Sequence, residues 1–230
     1  GSTSFLGLVV FATTGRRMPR EDVEVLDDLA VCLHVPEPRV WPLKAARIAS
    51  SSGRLSDGLV AGIAAMEGAF GFRAVATAAL RWLELRDSLE GATDREGALR
   101  GFLDRHGTMP LFGVFGRGAD ERIPAVRATI ARHGRAERPF WARAEEAWAF
   151  ALRERGIHPH AWGSVSALLL DLGLTPAELP PLLSIVLQSS YVAHAQEGAE
   201  LRSPVLRRLP AEAVRYVGAP PRTSPRAERR

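Results

Sequence analysis

Few side chains in this sequence have the type and spacing to do chemistry. His158-Pro159-His160 stands at a break between two apolar-periodic segments. A neutral imidazole titrates near pH 6.5, so a histidine there can serve as a base or a ligand. His160 is the candidate base, and plain loop histidines around a proline are the ordinary alternative. Gly116 and Gly118, with Gly113 before them, make a glycine-rich loop that holds Arg117 and runs into Arg122. Backbone amides and paired arginines could cradle an anion there. Gly116, Arg117 and Gly118 are thus candidate cofactor contacts and Arg122 a candidate anion ligand. A phosphate cradle normally follows a strand, and none is expected here. Cys32-Leu33-His34 with Glu37 matches no metal-site spacing and lacks a local four-ligand set, so no metal is expected. A buried helical cysteine beside a helix-ending histidine is the simpler reading. Tyr191, His194 and Glu197 share a helix at successive turns, with His194 expected to make a structural hydrogen bond.

The elements that must position these residues are helical throughout. Apolar residues recur at helical spacing, and alternating strand patterns are almost absent. The expected helices run from Pro19 to Leu33, Trp41 to about Ser50, Ser56 or Asp57 to Met66 with Ser56 as N-cap, and Ala74 to Arg86. Others cover Asp94–His106, Asp120–His133, Arg138–Arg155 and Ser164–Leu172. Thr175-Pro176-Ala177-Glu178 combines an N-cap, a first-position proline and a third-position glutamate, and opens an apolar segment reaching about Ala195. The expected buried stripes are Leu59, Ile63 and Met66; Ala78, Trp82 and Leu85; Leu99, Phe102 and Leu103; and Phe140, Ala144, Trp148 and Leu152.

Composition bounds the function. The 230 residues are 46% hydrophobic, which supports a core and excludes intrinsic disorder. The longest apolar run, near Phe5–Ala12, is far short of a membrane span. One cysteine, Cys32, excludes an internal disulfide framework, so a reducing cytoplasm is the expected compartment. Gly1-Ser2 reads as a cloning scar. Lys44 is the sole lysine among 30 basic residues. Most of the net +4 lies in 219–230, expected to be a disordered basic tail, rather than on a folded stripe. A nucleic-acid partner is therefore not expected.

Three stretches, in order and spacing, resemble the C-terminal part of citrate synthase. Val35–Ser52 is similar to that family's entry into a central helix. Leu111–Arg127 (LFGVFGRGADERIPAVR) is similar to the loop before its Asp-Pro-Arg signature, here Asp120-Glu121-Arg122. Ala193–Gly218 is similar to its last helix and closing Tyr-Val-Gly. The resemblance implies an all-α, two-lobed fold whose large lobe is truncated at its N-terminus. It implies large-lobe segments at 1–68 and 162–218 and a small, coenzyme A-handling lobe at 69–161. It also implies a homodimer, with Trp41-Pro42-Leu43 and Pro181–Ala193 as candidate interfaces, or a partner subunit supplying the missing portion.

The catalytic positions depart from the family. The enolate-holding histidine falls at Gly68, the ketone-protonating histidine at Val114, and an earlier substrate histidine at Pro36 or Glu37. His160 takes the place of the carboxylate base, and the sequence contains no asparagine. Arg122 matches the signature arginine. The last-helix arginine aligns with Leu187, and the arginine pair before Tyr216 with Ala211 and Ala213 unless Arg207 or Arg208 shifts in. Each positioned acid or base is worth about 10²–10⁴ in rate. These losses remove ordinary condensation on oxaloacetate. The expectation is a citrate-synthase-like protein with altered acyl-CoA carbon–carbon bond chemistry, of acyltransferase or lyase type. A coenzyme A thioester would be substrate, with no tightly bound cofactor and amides around Gly68–Gly71 serving the enolate. The alternatives are a catalytically silent relative binding coenzyme A or another anion, and a structural subunit of a larger assembly. Convergence of His158, His160, Arg117 and Arg122 on one cleft separates these readings.

Overall fold

The computed structural model describes residues 3–34, 37–38, 40–67, 71–113, 118–201, 210–213, 215 and 217–218. Among these, eleven α-helices and no strand ladder are present. The readings placed on Gly116, Arg117, Val114, Pro36, residues 68–70, Arg207, Arg208, Tyr216 and the tail 219–230 lie outside the described residues. No described helix is long and apolar enough to cross a membrane.

The first helix, α1 (Phe5–Thr14), has no counterpart in the amphipathic reading because it is apolar nearly all round. Local chemistry closes it at both ends. Ser4 Oγ accepts from the Gly7 amide, and Gly15 turns left-handed to end it. In α2 (Arg20–Leu33), Glu21 and Asp22 occupy the first turn and His34 caps the end. Then come α3 (Trp41–Ser50) and α4 (Leu55–Met66). Ser56 lies inside α4 rather than capping it, because Arg54 takes the N-cap position. The buried residues of α4 are also not its large side chains but Gly58 and Gly62, while Leu59, Ile63 and Met66 are only partly buried. A Cβ on Gly58 would sit 2.7 Å from the Ala46 carbonyl oxygen of α3 and 2.6 Å from Ala195 Cβ. Glycine is therefore what lets α3, α4 and the last helix, α11 (Gln188–Leu201), approach so closely.

The second packing group is built on α5 (Phe72–Leu89), whose Ala78, Trp82 and Leu85 are buried. It contacts α6 (Arg95–His106), α8 (Pro139–Arg155), α9 (Ala161–Asp171) and α10 (Leu179–Val186), while α7 (Ile123–Arg132) packs on α2 and α9. Trp82 and Trp148 meet edge to face at 5.7 Å, and Trp141 meets Trp148 at 5.6 Å. Leu152 is not part of the α8 stripe, being 47% exposed. Helix α7 begins three residues later than Asp120, because Asp120 to Arg122 form a separate local clamp. Helix α9 begins three residues earlier than Ser164, because His160 caps it. Glu178 reaches back to the Thr175 amide and hydroxyl as the sequence suggests, but those residues form a turn, and Pro180 and Pro181 open the helix itself.

Asp171, at the end of α9, supplies the cap that α8 lacks in its own sequence. Its carboxylate accepts from the Phe140 amide at 2.9 Å and the Trp141 amide at 2.8 Å. Burial pushes its carboxyl up from the usual range, and the two amides oppose that shift. Two first-turn amides lose their partner if the carboxylate is removed. Asp171→Ala is expected to cost about 1–2 kcal/mol in urea unfolding, and Asp171→Asn less, because its amide oxygen still accepts.

Candidate functional site

The glycine-rich loop and the histidine break meet in space. Leu111–Gly113 runs antiparallel to His158–His160: the His160 amide donates to the Leu111 carbonyl at 3.1 Å, and the Gly113 amide to the His158 carbonyl at 2.7 Å. Leu111 and Phe112 are fully buried, so their backbone groups need protein partners. Trp148 Nε1 gives a second bond to the Leu111 carbonyl at 3.2 Å, and Arg81 Nη1 bonds the Met109 carbonyl at 3.0 Å. Gly163 lies against this loop, and a Cβ there would come within 2.9 Å of the Leu111 carbonyl oxygen.

Asp120 is the residue that joins the two predicted site groups. It is buried, with its carboxylate in a bidentate pair with Arg122: Nε to Oδ1 at 2.8 Å and Nη2 to Oδ2 at 2.7 Å. The Arg122 and Ala161 amides also donate to it. Burial alone would raise this carboxyl, but the Arg122 guanidinium and the two amides outweigh it and hold the carboxyl at about 2. One edge of the Arg122 fork is therefore spent on Asp120. Only the Nη1 side is left to face a ligand, and 22% of the side chain is exposed.

His160 is buried at the start of α9, where Nδ1 accepts from the Trp162 amide at 3.1 Å. Because Nδ1 accepts, the ring proton of the neutral imidazole sits on Nε2. The lone pair expected to take a substrate proton is occupied in this arrangement. Burial, reinforced by Arg122, brings His160 down to about 4 despite the attraction of Asp120. His158 contributes its carbonyl to the bridge, and Gly118 is an exposed bend. The loop thus brings His160 and Arg122 together through Asp120. Sequence reasoning passed over Asp120 as a site residue, although an acid two positions before an arginine could have marked a self-paired arginine.

A cavity of about 30 Å3 lies where α2, α3, α4 and α11 meet. Its described walls are mainly Leu33, Val40, Leu43, Met66 and Leu187, with Ser190 and Tyr191 as polar members and no charged side chain among the described residues. Burial pushes the Tyr191 phenol well above its usual range. His34 and Ser189 sit one residue outside this wall, with Ser189 Oγ on His34 Nε2. His194 is buried and its Nδ1 lies 3.5 Å from Arg47 Nη1, which in turn pairs with Glu197, so it has the structural role expected of it. Cys32 is half-buried against Thr129, and no group of three potential metal ligands exists among the described residues.

No protein-family model matches the sequence, and no curated protein is similar to it at a significant level. The fold, by contrast, is shared with solved structures. Citryl-CoA lyase from Hydrogenobacter thermophilus superposes with a TM-score of 0.78 at 20% identity, over 100% of this chain and 90% of that one. Citrate synthase from Thermoplasma acidophilum, in a ternary complex with carboxymethyl coenzyme A and oxaloacetate, gives 0.70 at 18% identity. It is matched over 99% of this chain and 61% of its own. ATP citrate lyase from Methanothrix soehngenii, with citrate and coenzyme A, gives 0.72 at 18% identity, over 94% of this chain and 37% of that one. The chain has the citrate-synthase-like all-α fold.

Two acid-linked losses of stability follow. His160 is neutral when folded and titrates below its unfolded value of 6.5, so its contribution is complete above pH 6.5 and is lost as pH falls through about 4. Asp120 has a depressed carboxyl, so its contribution is complete above pH ~4 and is lost as pH falls through about 2. His160→Asn, which keeps a capping side chain, is expected to flatten the melting-temperature profile between pH 6.5 and 4. Asp120→Asn is expected to cost about 1–2 kcal/mol at neutral pH and to flatten the lower window. In a double-mutant cycle, Asp120→Asn and Arg122→Ala should couple by at least ~1 kcal/mol, and additivity would show the pair to be energetically idle.

Proposed function

We propose that this protein binds a coenzyme A thioester and acts on, or descends from action on, a carbon–carbon bond next to the thioester. In this reading the second reactant or leaving group is apolar rather than a dicarboxylate. One observation carries it: the cavity at the junction of α2, α3, α4 and α11 is lined by Leu187, at the position where the resemblance to citrate synthase calls for a carboxylate-binding arginine. A desolvated dicarboxylate needs charge-assisted partners. Leu33, Val40, Leu43 and Met66 offer none. The shared fold supports the coenzyme A side of the reading, since solved structures with this fold carry coenzyme A or its carboxymethyl derivative.

In the cleavage direction, the β-hydroxyl of an acyl thioester loses its proton, the adjacent carbon–carbon bond breaks, and a carbonyl product leaves. The remaining thioester enolate takes a proton at its α-carbon. The lobe spanning 69–161 would hold the coenzyme, with Arg117, Gly116 and Gly118 near phosphate and the Nη1 edge of Arg122 toward an anionic group. A silent coenzyme-binding relative is the second reading. It is favoured by His160, whose Nδ1 lone pair is engaged by the Trp162 amide. Self-association belongs to either reading. Trp41, Val60 and Val192 are exposed apolar side chains on the mutually packed α3, α4 and α11, whereas Pro42 and Leu43 are buried within the chain.

Calorimetric titration with coenzyme A, acetyl-CoA and citrate separates these cases. Saturable binding of the coenzyme species with no binding of millimolar citrate is the expected result. Citrate binding as tight as that of acetyl-CoA would overturn the apolar-pocket reading, and a folded sample that binds neither coenzyme species would overturn the proposal as a whole. Coenzyme binding without turnover of any acyl-CoA selects the silent relative. Sedimentation of the same sample is expected to show a dimer.

A further inference from the structure

We propose that Ser189 and His34 form a nucleophile–base pair that accepts a short apolar acyl group, from an ester or thioester, onto Ser189 Oγ. Three groups stand in line. His34 caps the C-terminal end of α2, and its Nδ1 lies 2.6 Å from the Ala30 carbonyl oxygen. A carbonyl can only accept, so Nδ1 carries the proton, and the neutral ring presents a lone pair at Nε2. The partner of Nε2 is Ser189 Oγ, so the serine hydroxyl donates to it. A hydroxyl, a base within reach of it, and a third group that fixes the tautomer of the base are the parts an activated serine requires.

The other hydrogen-bonded histidines have different partners. His106 and His133 face the carboxylates of Glu84 and Asp28, His160 caps a helix, and His194 sits beside Arg47. Against these, His34 is aimed at a hydroxyl. Ser189 is exposed, as attack on an incoming ester demands. The candidate seat for the acyl group is the apolar cavity lined by the chain neighbours of the pair, Leu33 and Ser190. At about 30 Å3, with no charged side chain among the described residues of its wall, the cavity favours the smallest uncharged acyl group, acetyl, over longer chains.

In the step, the Ser189 hydroxyl proton passes to His34 Nε2 as Oγ bonds to the acyl carbon. The tetrahedral intermediate collapses, the bond from acyl carbon to ester oxygen or thioester sulfur breaks, and the leaving alkoxide or thiolate takes the proton from His34. A serine ester remains, and water hydrolyses it through the same pair. The inference does not depend on coenzyme A, since any activated short-chain ester can serve as donor.

The test treats the full chain with p-nitrophenyl acetate and, separately, with a fluorophosphonate, followed by intact-mass measurement and peptide mapping. The expected result is one adduct per chain on Ser189, with labelling slowed at least ~100-fold in Ser189→Ala and in His34→Gln. Ser189 is on the surface, so Ser189→Ala is expected to keep the native circular dichroism spectrum. If His34→Gln fails to fold, loss of the adduct in the folded Ser189→Ala variant still decides the assignment. No adduct on the folded wild type, or labelling unchanged in Ser189→Ala, overturns the proposal. Calorimetry with coenzyme A on the same sample keeps the two readings apart. Coenzyme binding without acylation removes only the Ser189 assignment, and acylation without coenzyme binding removes only the coenzyme A function.

Discussion

A buried loop has to satisfy its backbone polar groups without a helix or a sheet to do it, and that constraint organises the centre of this molecule. Leu111 and Phe112 are inaccessible to solvent, although connecting segments normally run over the surface for the sake of their amides and carbonyls. The two-bond bridge to His158–His160 meets part of the demand. Tryptophan indoles meet more of it: Trp148 donates to Leu111, and Trp82 donates to the Gly163 carbonyl at 2.8 Å, on the helix that packs against the loop. Their rings are core and their N–H groups are structural donors, which is how a large aromatic can be buried without an unsatisfied polar atom. The position of α9, the burial of His160 and the aim of Arg122 all follow from that bridge and the Asp120 clamp beside it.

Charge in this protein is largely spent on itself. Arg95 takes Glu146 and Arg127 takes Glu145 as exposed two-bond pairs between helices. Arg132 at the end of α7 and Arg135 just after it reach Asp28 and Asp22 of α2. Exposed pairs such as Arg95–Glu146, Arg127–Glu145 and Arg132–Asp28 are each worth a few tenths of a kcal/mol to about 1 kcal/mol, whereas Arg135–Asp22 is mostly shielded from solvent. Their effect is more on specificity of docking between helices than on stability. Asp120–Arg122 differs, because its carboxylate is buried and carries two further amide bonds. The cavity beside Leu187 has a mainly apolar wall among its described residues.

The folded chain therefore presents two chemically different centres. One, at the Asp120–His160 junction, is closed and hydrogen-bonded: Arg122 and two amides hold the Asp120 carboxyl down against burial, while burial itself lowers His160. The other, at His34 and Ser189, is open and lies beside a small apolar hollow. Closed networks of this sort rigidify a core. Open pairs with one oriented base are where proton transfer can occur.

Much of the architecture was legible from spacing alone. Helices such as α2, α5, α6 and α8 follow from apolar residues on one face together with proline, glycine and acidic boundary signals, all of which act within a few residues. The order of the motifs also pointed to the citrate-synthase-like fold, and the tertiary structure agrees with it. Helix α1 was missed because an apolar run without a polar face has no helical period to read. The buried face of α4 was misassigned because glycines, invisible to a hydrophobic pattern, make its closest contacts. The candidate site was half legible. Arg122 and His160 could be named, but not that Asp120 consumes the first and the backbone occupies the second. The Ser189–His34 pair spans 155 positions and left no local trace. Sequence by itself determined the local features, periodicity, caps and breaks, because those depend on neighbours along the chain. Which polar group finds which partner was decided only by the tertiary structure, because burial and hydrogen bonding couple residues that the chain keeps far apart.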